Sequence, residues 1–128
     1  MSQSAGIQDI TFKADADLSS AQFYFMCLDT DGKASACGAN GRAVGILQNK
    51  PDAEDKAALV RTVGTSKLKM NEACDEGEWL TSTSTGLGEV TDAADEYCGA
   101  MALEAATAQN DIIEVLIIHA YSAASHAG

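Results

Sequence analysis

The sequence predicts an all-β protein, a small sandwich or partly open barrel of about seven or eight short strands. Three observations predict it. Apolar residues come in short runs rather than long ones. Turn-forming Gly, Asn and Asp recur between the runs, and Pro is nearly absent, with one in the chain. No segment keeps a helical period beyond two turns.

The elements follow in order. "GIQDITFKA" places Ile10 and Phe12 at the same parity, a short strand with a polar edge. Phe23 to Leu28 is an unbroken apolar run, which predicts a strand buried on both faces. "DTDG" then predicts a tight turn, with Asp29 and Asp31 bonding locally and Gly32 free to take positive φ. "AVGIL" is a short strand whose Gly45 marks a bulge or a close backbone approach. "QNKPDAEDKAA" is a polar loop, with or without one helical turn after Pro51, and "LVRTVGTSKLKM" reads as strand, bulge at Gly64, strand. "NEACDEGEW" is a loop, "WLTSTSTGLGEV" a strand and hairpin, "DAADEYCGAMAL" a return to strand, "AATAQND" a turn, and "IIEVLII" the last strong strand.

Two stretches share one plan. "FYFMCLDTDGKASACGANGRAVGIL" runs apolar strand, polar Gly turn, small residues, then "VGIL". "EWLTSTSTGLGEVTDAADEYCGAMAL" runs the same way to "AMAL", and each is followed by an apolar strand, "LVRTV" or "IIEVL". An internal repeat of a strand–turn–strand–loop–strand unit is therefore expected.

Net charge is −11, so the basic footprint of a nucleic-acid binder is missing, and nucleic acid is not an expected partner. The charge is uneven. All eight Lys and Arg lie at or before Lys69, whereas eleven acidic residues lie beyond it. Such polarity suits one face against a partner and another repelling neighbours in solvent. No run approaches the roughly 18 apolar residues a spanning helix needs, and no basic start and apolar run follow Met1, so neither membrane nor secretion is expected.

Cys27, Cys37, Cys74 and Cys98 form no CxxC pair and no zinc pattern. Buried free thiols are the expectation for a chain in a reducing cytosol, and neither disulfide nor metal is expected to be needed for folding. "DTDGK" resembles the start of a calcium loop, but Gly32 comes too early and no Glu closes the loop. There is no GxSxG elbow and no Gly-rich loop opening a helix. No metal, no cofactor, no catalytic residue and no enzymatic activity are expected.

Six motifs in one order carry a resemblance. They are "DITFKADADLS", "FYFMCLDTDGK", "AVGILQNKP", "ALVRTVGTSKLKMNEACDEGEWLTS", "AMALEAA" and "DIIEVLI". In this order and spacing, from Ile10 to Ile117, the chain resembles the small capsid decoration, or cement, proteins of tailed bacteriophages, formerly described as a domain of unknown function. The resemblance implies a noncatalytic virion protein, made in the host cytoplasm, that binds the outer surface of an assembled head. It would stabilise contacts between major capsid proteins and act as a homo-oligomer, often a trimer, with a dimer as the other arrangement. A different β interaction module is the alternative: a head-fibre base, a tail component or a bacterial binding domain. The expected organisation is residues 1–12 as an N-terminal arm or first strand, 13–118 as the β domain, and 119–128 as a flexible tail.

Candidate contact residues lie in two places. Ile7, Ile10 and Phe12 are the large apolar groups of the N-terminal segment, suited to adding a strand or arm to a neighbour. Arg61, Lys67 and Lys69 share odd parity, the one place where basic residues cluster at strand spacing. A bulge at Gly64 would move Arg61 to the other face and leave Lys67 and Lys69 together. Those two are expected either to protect a solvated edge or to face carboxylates of a neighbouring subunit or shell.

Overall fold

The computed structural model describes residues 7–91 and 96–121. Among these residues there are ten strands and no helix, arranged as two five-stranded antiparallel sheets in a sandwich-like all-β fold. The first sheet holds β1 (Gln8–Lys13), β2 (Phe25–Leu28), β3 (Ala34–Ala36), β4 (Gly45–Leu47) and β5 (Ala57–Val63), in the order β1-β5-β4-β2-β3. The second holds β6 (Thr65–Lys69), β7 (Trp79–Ser82), β8 (Gly88–Val90), β9 (Tyr97–Ala102) and β10 (Ile112–Tyr121), in the order β6-β10-β9-β7-β8. The second order is the first with each strand number raised by five. The repeat expected from the sequence is present, and "VGIL" and "AMAL" occupy equivalent strands.

The duplication reaches individual hydrogen bonds. In the β2–β3 turn the Asp29 carboxylate accepts from the backbone N–H groups of Asp31 and Lys33, each at 2.9 Å. In the β7–β8 turn the Thr83 hydroxyl accepts from Thr85 and Leu87, each at 3.2 Å. A short polar side chain that bonds its own turn is what both positions need, so Asp and Thr serve alike. Gly32 (φ 76°) and Gly86 (φ 96°) supply the left-handed residue in each turn. A parallel bridge, Ala14 to Ala34 in one repeat and Met70 to Gly88 in the other, draws the end of each first strand toward the sheet's far edge and curls the sheet.

Each curled sheet encloses its own apolar interior. Ala14, Leu18, Met26, Leu47, Ala58 and Val60 fill the first. Leu68, Met70, Leu80, Ala102, Ile113 and Val115 fill the second. Strand alternation sends Phe25 and Ile46, cross-strand partners next to Met26 and Leu47, out of the other face of the first sheet and into the second cluster. Both are completely buried there. At about 1.5–3 kcal/mol for each fully buried large apolar side chain, this pair is a main fastening between the repeats. Gly45 is a close approach, not a bulge. A Cβ on it would collide with the Arg61 carbonyl of β5 and stand 2.8 Å from Val60 Cγ1.

Four expectations need correction. The strand number is ten rather than seven or eight, because β3 and β8 are three-residue returns made of small or polar residues that carry no apolar signal. Gly64 is not a bulge within one strand: at φ 103° it carries the chain from the first sheet to the second. Residues 119–121 of the tail expected over 119–128 are strand, since β10 continues through Ala120, opposite Cys98, to Tyr121, opposite Tyr97. His119 holds that extension by donating from Nε2 to the Thr62 carbonyl (2.9 Å) while its Nδ1 accepts from the Tyr97 hydroxyl (2.9 Å). Residues 122–128 lie outside the described residues, as do 1–6 of the expected arm; of that arm, residues 8–12 belong to β1, paired with β5.

The fourth correction concerns the cysteines. Cys74 and Cys98 are buried free thiols, as expected, but Cys27 and Cys37 form a disulfide with a Cα–Cα distance of 5.0 Å. The hairpin register is the reason. Cys27 lies opposite Ser35, and the Cys37 N–H donates to the Phe25 carbonyl at 3.0 Å. The two cysteines are thus diagonal neighbours on one face, within reach of a disulfide. The second repeat has Thr81 and Thr91 at the equivalent places, with the Thr91 N–H bonded to the Trp79 carbonyl at 3.0 Å.

Candidate interaction surface

β6 is an edge strand whose residues alternate strictly. Ser66 and Leu68 turn inward and are buried, so Thr65, Lys67 and Lys69 turn outward. The expectation that Lys67 and Lys69 share a face holds. Lys67 lies opposite Glu114 of β10, and Lys69 lies opposite Ile112, which is 49% exposed.

Arg61 belongs elsewhere. It sits on β5 in the other sheet, and its guanidinium grips Asp9 of β1 through Nε to Oδ1 (2.8 Å) and Nη2 to Oδ2 (3.2 Å). A third bond reaches the Thr65 carbonyl at 3.3 Å. The Asp9 carboxylate holds Arg61 still further above its ordinary pKa. Arg61 therefore locks β1 to β5 and the first repeat to the start of β6, and does not extend the lysine stripe. In the N-terminal segment, Ile7 and Ile10 are exposed at the sheet edge, while Phe12 lies opposite Ala58 and packs against the first core.

The structure adds a groove that sequence reading missed. It has a volume of about 340 Å³ and lies where the two repeats meet. Ser19, Gln22 and Phe23, from the loop before β2, form one wall. Lys69 of β6 and Ile112 of β10 form the other, and Lys50, just after β4, joins them. Local bonds set this shape. The Asp17 carboxylate accepts from the Ser19 N–H (2.9 Å) and hydroxyl (2.7 Å), which holds its pKa below the usual range and fixes the turn. The Gln22 amide donates to the Gln48 carbonyl at 2.9 Å. The Lys69 N–H donates to the Phe23 carbonyl at 2.9 Å and joins the walls.

Two features set the groove apart. Phe23 has φ 68°, a left-handed conformation that is unfavourable for a bulky residue. Its equivalent in the second repeat is Gly77 at φ 86°: the Phe23 N–H donates to Leu47 as the Gly77 N–H donates to Ala102. The second feature is charge. Lys33 is held by Glu54 and Asp55, Lys56 by Asp52 and Arg61 by Asp9, whereas among the described residues Lys13, Arg42, Lys50, Lys67 and Lys69 have no carboxylate within salt-bridge distance. Of these five, Lys50 and Lys69 line one groove on a chain of net charge −11.

Other reactive groups are occupied or muted. His119 is used by Thr62 and Tyr97, and burial pushes the Cys74 thiol up, away from the reactive thiolate. Among the described residues, no three His, Cys, Asp or Glu side chains are placed to hold a metal ion.

No protein-family profile matches the chain, and no curated protein sequence does. The fold itself has a solved counterpart. The N base of head fibre gp8.5 from bacteriophage phi29 aligns with a TM-score of 0.65 at 15% identity, covering 88% of this chain and 94% of that one. At such low identity the likeness establishes the fold: this chain shares nearly its whole architecture with that head-fibre base.

Proposed function

We propose that this chain is a noncatalytic structural protein of a tailed-phage virion, seated on the outer surface of the head and bound to the major capsid protein. The observation that carries the reading is the near full-length likeness to the phi29 head-fibre base. The ordered motifs from Ile10 to Ile117 point to the same class of protein. On this reading the chain bridges neighbouring shell subunits and stabilises them, and it does so as a homo-oligomer, a trimer. An acidic surface with one small basic groove suits a protein that coats a particle without binding its DNA. The solved neighbour favours a second reading, in which the chain is a base that carries a projecting fibre.

Purified heads lacking the protein separate these ideas. Added protein should co-sediment with heads at a fixed ratio to the major shell protein. Heads carrying it should keep their DNA through heating that empties bare heads. Saturable binding with no gain in DNA retention would favour the fibre-base reading. No co-sedimentation under any salt condition would refute both.

A further inference from the structure

We infer that the groove between the repeats is a docking site for an extended peptide segment of the shell protein that carries a carboxylate beside a large apolar side chain. Only the identity of the partner rests on the head-binding reading. The chemistry rests on the groove.

Lys50 and Lys69 come from different repeats and converge on one groove, free of carboxylate partners among the described residues. Like charges brought together on a surface raise its attraction for an anion, and the chain's net negative charge makes such a pair the more distinct. The lining also includes two large apolar residues, Phe23 and the exposed Ile112. Ser19 and Gln22 lie on the same wall; the Ser19 hydroxyl is bonded to Asp17, and the Gln22 amide keeps one N–H beside the one it gives to Gln48. Charge, hydrogen-bonding groups and apolar surface in one groove are what an acidic and apolar peptide needs.

The Phe23 backbone is the independent observation. Glycine would sit at φ 68° without steric cost, and the second repeat uses glycine there. Keeping a phenylalanine in a left-handed conformation is unfavourable, and such residues cluster at binding sites. Phe23 lines the groove and packs against the second core, while its carbonyl accepts from the Lys69 backbone N–H.

The test uses the full chain, isotopically labelled, and two probes: acetyl-Glu-Leu-Glu-amide and its neutral counterpart acetyl-Gln-Leu-Gln-amide. The acidic probe should shift the amide signals of Ser20, Phe23, Lys69 and Ile112. Its affinity should fall as salt rises from about 0.02 M to about 0.3 M. The neutral probe should bind at least about tenfold more weakly, and so should the acidic probe with the double variant Lys50→Gln, Lys69→Gln. That variant keeps both side-chain stems, and its melting temperature should match the wild type. Shifts elsewhere, equal binding of the neutral probe, or undiminished binding by the variant would each overturn the site. A second arm loads the variant onto heads and sediments it alone. Head loading should fall at least about tenfold, with the oligomeric state unchanged. Wild-type loading by a variant that has lost the probe would overturn the shell as partner, and dissociation of an oligomer would assign the groove to a second copy. If wild-type protein binds the probe but no heads, the virion reading fails and the groove's chemistry stands.

Discussion

Replacing both linked cysteines by the residues that the second repeat carries, Cys27→Thr with Cys37→Thr, should leave a folded but weaker protein. The bond joins residues ten apart in sequence. Closing so short a loop in the unfolded chain removes about 9 cal/mol/K of entropy, so its loss costs about 2.7 kcal/mol at 25 °C. Unfolding entropy is about 2.1 cal/mol/K per residue near the midpoint. For 128 residues that is about 0.27 kcal/mol/K, and the melting temperature should fall by about 10 °C. The fold should survive, because Thr81 and Thr91 occupy the same two places without a covalent link. The new hydroxyl at residue 27 lands at a half-buried position and the one at residue 37 at a fully buried one, and each left without a hydrogen-bond partner adds about 1–3 kcal/mol, most of all at residue 37. Urea and thermal melts of the double variant, and of the wild type with and without reductant, read the effect directly. A shift below about 3 °C would show that the bond constrains nothing the chain does not already constrain. Outright unfolding would refute the claim that the first repeat has a sufficient core of its own.

Gly45→Ala should cost more than about 3 kcal/mol and empty the soluble fraction, since the new methyl group meets the Arg61 backbone, which cannot yield without parting β4 from β5. Asp9→Asn should weaken the two-pronged grip of Arg61, lower stability by about 1 kcal/mol, and speed hydrogen exchange in β1 before any other strand. The Asp111 carboxylate, held below the ordinary Asp value of 3.8 by the Thr107 N–H and hydroxyl, stabilises the fold above that value and loses the effect as pH falls through its lower folded pKa. Melts at neutral pH and near pH 2 should therefore differ more for the wild type than for Asp111→Asn. Equal acid sensitivity would assign that loss to other carboxylates, such as Asp17.

Local sequence signals carried the all-β class, the "DTDG" turn, the repeat itself and a special role for Gly45, left open between a bulge and the close approach that it is. Each depends on residue type within a few positions: a short polar side chain before Gly32, a missing side chain at Gly45, alternation in β5 and β6. What depended on pairing register was harder to read. Cys27 and Cys37 look unrelated along the chain, although a turn that pairs Leu28 with Ala34 already makes residues 27 and 37 diagonal neighbours. The stripe at Lys67 and Lys69 was visible because both lie on one strand. Lys50 and Phe23 reach the same groove from the other repeat, and no spacing rule connects them to Lys69. Arg61 was misjudged for a related reason, since parity cannot reveal that the chain changes sheets at Gly64.

The tandem arrangement also bears on synthesis. All strands of the first sheet, and the residues of its interior from Ala14 to Val60, precede Gly64. The ribosome adds about 5–20 residues per second, so residues 64 to 121 take roughly 3–12 s to appear. Small β domains fold in about milliseconds to seconds. The first half therefore has time to close before β10 exists to pair with β6. During that interval Phe25 and Ile46 are bare, and the surface awaiting them is still being made. A neighbouring chain's second half, identical in shape, fits the same face, so exchange of halves between nascent chains is the characteristic misassembly of this architecture.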